Sequence, residues 1–304
     1  TVGILIKSIF DMKKRTAFVG AVLSLIPFGQ PLIIKTGVVL STTGFLLSIS
    51  EKVQARDNSY YFNRAYDKAE NGDHYGAISD YTKAIEIDPK YAVAYYNRGI
   101  SKGELKDHYG AISDYTKAIE IDLKYVDAYF GRGYSKGELK DHYGAISDYT
   151  KAIEIDPKYV DAYYNRGYSK GELKDHYEAI SDYTKAIEID PKYVDAYYNR
   201  GISKGELKDH YGAISDYTKA IEIDPKDAEA YFGRGYSKDE LKDYYGAISD
   251  YTKAIKIDPK YEDAYYNRGS SKELIKDMKG ACADWRKASD LGVEDAAKWL
   301  RDQC

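Results

Sequence analysis

At 304 residues, with 31% charged side chains and a formal net charge of -4, the chain is long enough for a sizeable core and lacks the basic excess that nucleic-acid binding needs. Its 34 tyrosines against 7 phenylalanines and 2 tryptophans point to a repeated, Tyr-rich unit. Cys282 and Cys304 make no CxxC or Cys/His spacing, which excludes a zinc-finger or thioredoxin-type motif.

Residues 1–55 differ from everything that follows. Met12 opens the basic cluster Met12-Lys13-Lys14-Arg15, and an uncharged apolar run, Thr16 to Ile34, comes next, broken by Pro27, Gly29 and Pro31. A second apolar run, Thr36 to Ser50, leads to Val53-Gln54-Ala55. A basic start, an apolar stretch and a small-residue ending describe an export signal, with Met12 as the true start. Three other readings stay open: an uncleaved membrane anchor with the repeats outside the cytoplasm, a hairpin of two short spans, and a buried helical pair. In the anchor reading this segment contacts a membrane. The leading expectation places the repeats outside the cytoplasm.

From Asp57 the sequence repeats with a period of 34, units beginning at Asp57, Tyr91, Tyr125, Tyr159, Tyr193, Asp227 and Tyr261. Each unit carries two helical patterns. Val160 to Leu173 sets Tyr163 and Gly167 one turn apart. His176 to Ile189 places Ala179, Ile180, Tyr183, Ala186 and Ile187 on one face. Lys174-Asp175 marks the turn between them, and Asp190-Pro191 stops the second helix because the residue before proline avoids helical geometry. Two such helices cannot bury their faces alone, so neighbouring units must stack. Within the first helix every unit carries an Arg (Arg64, Arg98, Arg132, Arg166, Arg200, Arg234, Arg268), and the second helix carries an Asp such as Asp114 or Asp182. A partly buried Arg needs an acceptor, so an Arg–Asp bridge is expected within each unit. Leu123 replaces the usual Pro and is expected to soften that junction.

The large residue, the small one four later, and the Ala-aromatic-Ala of the second helix (Tyr95, Gly99, Ala111, Tyr115 and Ala118 in the second unit) resemble the tetratricopeptide repeat, over residues 57–294. The resemblance implies an all-α, right-handed superhelical α-solenoid of seven 34-residue helix-turn-helix repeats. Residues 295–304 then form a capping helix behind the stop at Leu291-Gly292. If that helix folds back about Gly292, Cys282 and Cys304 become neighbours. A disulfide is expected there if the chain is exported, and free thiols if it is cytosolic.

No chemistry accompanies the repeat. His74, His108, His142, His176 and His210 hold the same position in five successive units, a ladder where catalysis or metal binding needs convergence. Nucleotide-binding, nucleophile-elbow and metalloprotease motifs are lacking, so neither an enzyme nor a cofactor is expected. The resemblance instead implies a concave groove lined by the first helices, where an extended polypeptide lies. Carried onto this chain, the groove residues are Tyr96, Phe130, Tyr164, Tyr198 and Phe232, with Ile100, Tyr134, Tyr168, Ile202 and Tyr236 one turn on. Asp127, Asp161, Asp195 and Glu229 join them, with Glu104, Glu138, Glu172, Glu206 and Glu240. An aromatic groove with acidic edges favours a partner carrying basic and apolar residues. Asn97, Asn165 and Asn199 match part of a set that grips C-terminal carboxylates, but the lysines of that set are lacking. The function expected is a non-enzymatic scaffold for protein partners. The alternative is a structural spacer or self-associating array.

Overall fold

A computed structural model, which describes residues 57–304, breaks the helices where the Lys-Asp and Asp-Pro signals stand. The chain divides into two units, Thr1–Tyr60 and Tyr61–Cys304, and the second holds the array. In the first helix of each repeat (helix A) lie α1 (Asn58–Glu70), α3 (Ala92–Glu104), α5 (Val126–Glu138), α7 (Val160–Glu172), α9 (Val194–Glu206), α11 (Ala228–Glu240) and α13 (Glu262–Leu274). The second helices (helix B) are α2 (His74–Ile87), α4 (His108–Ile121), α6 (His142–Ile155), α8 (His176–Ile189), α10 (His210–Ile223), α12 (Tyr244–Ile257) and α14 (Met278–Asp290). A closing helix, α15 (Glu294–Gln303), follows. The apolar and basic segment of residues 1–55 lies outside the described residues. Among those described, no helix is long and apolar enough to cross a membrane.

Each A-to-B turn is three residues of fixed roles. A Leu (Ile275 in the seventh unit) closes helix A, a Lys takes the left-handed conformation (φ between 63° and 65° at Lys106, Lys140, Lys174, Lys208 and Lys242, and 69° at Lys276), and an Asp caps helix B. In the first unit Gly72 fills the left-handed position at φ 80°. The cap is specific: Gly110 N–H donates to Asp107 Oδ1 at 2.9 Å. Where Glu178 replaces that glycine, the corresponding bond to Asp175 stretches to 3.4 Å.

At the B-to-A junction an Asp carboxylate accepts the N–H two residues on, as in Lys158 N–H to Asp156 at 2.9 Å. Leu123 in place of Pro leaves the turn geometry unchanged. Lys124 N–H reaches Asp122 at the same 2.9 Å, because the Asp turn, not the proline ring, sets the backbone there.

Helix A packs on helix B through residues without bulk. Ala94, Ala111, Ala118 and Ala128 are wholly buried, and Gly133 lies under the Tyr149 ring. A Cβ on Gly133 would sit 2.9 Å from Tyr149 Cε1 and 3.3 Å from the Ala145 carbonyl oxygen, which is backbone and cannot yield. Gly137, one turn later, faces open space. The two glycines therefore predict opposite outcomes. Gly133→Val should destabilise by about 1–3 kcal/mol through overpacking, whereas Gly137→Ala should stabilise by about 1 kcal/mol through helix propensity. Denaturant titration of both variants checks the pair, and equal signs would contradict it.

The Arg–Asp pair forms in all seven units. Arg132 Nε and Nη2 donate to the two oxygens of Asp148 at 3.0 and 2.7 Å, and Lys136 Nζ adds a third donor at 2.8 Å. Arg132 Nη1 also crosses to the preceding unit, donating to Thr116 Oγ1 at 3.1 Å, while its guanidinium lies 5.6 Å from the Tyr129 ring centre. The same crossing joins Arg98 to Thr82, Arg166 to Thr150, Arg200 to Thr184, Arg234 to Thr218 and Arg268 to Thr252. So the Arg occupies a usually apolar position because it ties three helices at once. In the seventh unit, which α15 follows, Arg286 stands where the Thr would be.

At the far end Gly292, at φ 109°, turns the chain into α15. Trp285, wholly buried, stacks on Trp299 with ring centres 5.5 Å apart, and Ala296 seals the last interface. A disulfide joins Cys282 to Cys304, with Cα atoms 5.9 Å apart.

Candidate functional site: the face of the A helices

Successive helices pack in chain order, and from α3 to α13 each A helix also touches the A helix of the next unit. That close spacing puts the A helices on the inner side of the stack. Their solvent-facing side chains are the candidate site.

The predicted groove residues separate into three groups. Tyr96 and Phe130 are 5% and 4% exposed and are packing residues rather than groove lining, while Tyr164, Tyr198 and Phe232 are half-buried with their rings against neighbouring tyrosines. Tyr96 lies 5.7 Å from Tyr115 of its own unit and 5.1 Å from Tyr125 of the next, ring centre to ring centre. Phe130 repeats this with Tyr149 and Tyr159, and Tyr164 with Tyr183 and Tyr193. Three rings thus fill these junctions, a geometry that offset aromatic contacts favour, whereas Tyr198 meets Tyr217 alone because Asp227 takes the place of the next unit's Tyr. Burial pushes the Tyr96 and Tyr149 phenols far up, so they stay protonated.

The second row is the accessible one. Tyr168, Ile202 and Tyr236 are 40%, 38% and 48% exposed, and Ile100 and Tyr134 are half-buried in the same positions. Burial and then the carboxylate of Glu172 raise the Tyr168 phenol, which keeps it a hydrogen-bond donor.

The carboxylates divide too. Asp127 and Asp161 accept hydrogen bonds from Tyr159 and Tyr193 of the following unit at 3.2 and 3.1 Å, so they help hold units together. Asp195 is half-buried in the equivalent place, whereas Glu229 is exposed. Glu104, Glu138, Glu172, Glu206 and Glu240 are all exposed at the C-terminal ends of their helices. They form the acidic rim.

The A-helix lysines explain why the rim stays acidic. Lys102, Lys136, Lys204 and Lys238 each reach the internal Asp of their unit at 2.7–2.8 Å. The asparagines are also engaged: Asn97, Asn165 and Asn199 donate to carbonyls one turn back at 2.8–2.9 Å. The five histidines open their B helices with Nδ1 buried and without a hydrogen-bond partner. Among the described residues no group of three or more His, Cys, Asp or Glu is placed to hold a metal.

Sequence reasoning passed over the Thr82-to-Thr252 series, although a hydroxyl recurring at one helix-B position in the first six units was a visible signal. Its partner, the Arg of the following unit, lies outside the unit that carries the Thr.

Profiles described as tetratricopeptide repeat match residues 92–125, 160–193, 194–227 and 216–249, and one described as TPR repeat matches 65–106, 134–174 and 240–272. No curated protein matches the chain. Among solved structures, MamA protein is 27% identical and superposes with a TM-score of 0.53, over 56% of this chain and 92% of its own. The C-terminal part of a TPR repeat-containing protein from Cytophaga hutchinsonii is 20% identical with a TM-score of 0.67, covering 79% and 99% of the two chains. YrrB, described as a TPR protein with an unusual peptide-binding site, is 24% identical with a TM-score of 0.55, over 62% and 97%. The last two speak to the fold alone.

Proposed function

The chain belongs to the tetratricopeptide repeat family, and from that premise we propose that it is a non-enzymatic scaffold whose A-helix face binds an extended polypeptide bearing basic and apolar residues. One observation carries this reading. Tyr168, Ile202 and Tyr236 are 38–48% exposed, with half-buried Tyr134 in the same row, and all four stand on helices that end in exposed glutamates, whereas the lysines of the same helices are spent on internal bridges. Aromatic platforms give contact area at low entropic cost, and acid rims select cationic partners.

The test is a peptide array probed with the purified chain, followed by calorimetry on the tightest basic-apolar peptide. Changing Tyr134, Tyr168 and Ile202 together to Ala should weaken it at least tenfold, about 1.4 kcal/mol or more. Undiminished binding by the triple variant would remove the groove from the account.

A second reading, a structural spacer or self-associating array, draws on Tyr75, Tyr109, Tyr143, Tyr177, Tyr211 and Tyr245. These six are 74–77% exposed, one in each of the first six repeats, in the first turn of successive B helices. A row with the period of the array fits another copy of the array. Concentration-dependent sedimentation, abolished by changing this row to Ser, would favour it.

The repeats are proposed to work outside the cytoplasm, exported or membrane-anchored. The Cys282–Cys304 disulfide and the basic-then-apolar order after Met12 support this.

A further inference from the structure

The repeat pattern is broken at one junction of the groove. Ile100, Tyr134, Tyr168, Ile202 and Tyr236 mark a row of large side chains, and the seventh unit puts Ser270 in that place. The sixth unit replaces the helix-A glycine (Gly103, Gly137, Gly171, Gly205) with Asp239, and the seventh replaces the rim glutamate with Leu274. The lost bulk leaves a cleft of about 280 Å³ between α11 and α13, lined by Tyr236, Asp239 and Glu240 on one wall and by Asn267, Ser270 and Leu274 on the other.

Its chemistry is mixed in a particular way. Tyr236 is 48% exposed and Leu274 55%, so the cleft offers an aromatic ring and an aliphatic surface to solvent. The Glu240 carboxylate is 47% exposed and lies 4.0 Å from His210 Nε2. Asp239 is deeper, accepting from Ser271 Oγ at 2.7 Å and from Tyr251 Oη at 2.9 Å. Lys242 reaches the rim from the exposed turn after α11, leaving two carboxylates against one ammonium. The chain already grips arginine with this set of groups: Arg268 lies 5.5 Å from the Tyr265 ring centre and pairs with Asp284 at 2.6 Å.

We propose that the cleft between α11 and α13 receives an arginine side chain of the bound polypeptide, the guanidinium over Tyr236 and against Glu240, the aliphatic stem on Leu274. A planar guanidinium suits a ring face and a carboxylate together better than a compact ammonium does. The inference rests on the groove reading for its biological partner, but the site is testable without it.

The probe is N-acetyl-arginine N-methylamide, titrated into the isotope-labelled chain and followed by amide NMR, with the norleucine and lysine analogues alongside. Shifts are expected around Tyr236–Lys242 and Asn267–Leu274, with the arginine probe at least severalfold tighter than lysine and norleucine silent. Ser270→Tyr restores the residue type that Tyr134, Tyr168 and Tyr236 hold in other units and fills the cleft; it should abolish the shifts. Glu240→Gln should weaken binding severalfold while leaving thermal unfolding unchanged. Equal shifts at Glu104, Glu138 and Glu172 would reveal general attraction to acid and overturn the site, as would an unchanged affinity in Ser270→Tyr. The Tyr134, Tyr168 and Ile202 triple variant leaves this cleft intact, so loss of the groove reading and loss of the arginine site are separate results.

Discussion

Changing Asp148 to Ala will destabilise the array by about 3–5 kcal/mol, among the largest effects of any single substitution in it. The carboxylate is 3% exposed and receives Arg132 through two nitrogens and Lys136 through a third. Removing it leaves a guanidinium and an ammonium, 18% and 22% exposed, without their acceptor, and truncating one partner of a buried pair costs far more than the pair contributes. Because Arg132 also holds Thr116, the loss extends to the interface with the second unit. Stability in a solenoid is a sum of units and interfaces, so the damage should appear as a local opening rather than a uniform shift. Hydrogen exchange should show lost protection across α4 to α6 first. Replacing Asp148, Arg132 and Lys136 together by apolar residues should recover much of the deficit; full loss in that triple variant would mean the charges themselves are required.

Acid weakens the first rung of this ladder. Hydrogen bonding from Arg64, reinforced by Lys68 and opposed by burial, holds the Asp80 carboxyl down to about 2. A depressed carboxyl adds stability that is complete above its unfolded value near 3.9. That contribution is lost as pH falls through the folded value, so the α1–α2 hairpin should loosen between about pH 4 and pH 2.

Reducing the Cys282–Cys304 disulfide, or changing both residues to Ser, will cost the closing segment about 3 kcal/mol. The bond spans 22 residues of sequence, so the reduced, unfolded segment regains the freedom of a loop that size. The loss should concentrate at the C-terminal end, where α15 covers Trp285 and Ala288 and makes contact only with α14 among the main helix pairs. Trp285 and Trp299 provide the readout: their fluorescence should change on reduction well before the middle units unfold. An unchanged melting profile with both thiols free would show that Trp–Trp stacking and Ala296 hold the cap unaided.

Much of this was legible because each unit states its own helices. The Lys-Asp and Asp-Pro signals, the alanine faces and the Gly292 stop are local, and each acts within a turn or two of itself. The Arg–Asp partners are 16 residues apart and could be inferred from charge alone. Which tyrosines face solvent was not legible. Tyr96 and Phe130 share a helix with Ile100 and Tyr134, and periodicity gives both rows a face; only the next unit's Tyr125 and Tyr159 turn the first row inward.

The sequence by itself determined a stack of seven helical hairpins, their turns and their end, since period, caps and small residues are local and repeat. Tertiary structure decided how the tyrosines divide between core and surface, why Arg replaces an apolar residue, and where the array opens into a cleft. Those outcomes depend on contacts between residues of different units, where packing and desolvation, not propensity, set what a side chain does.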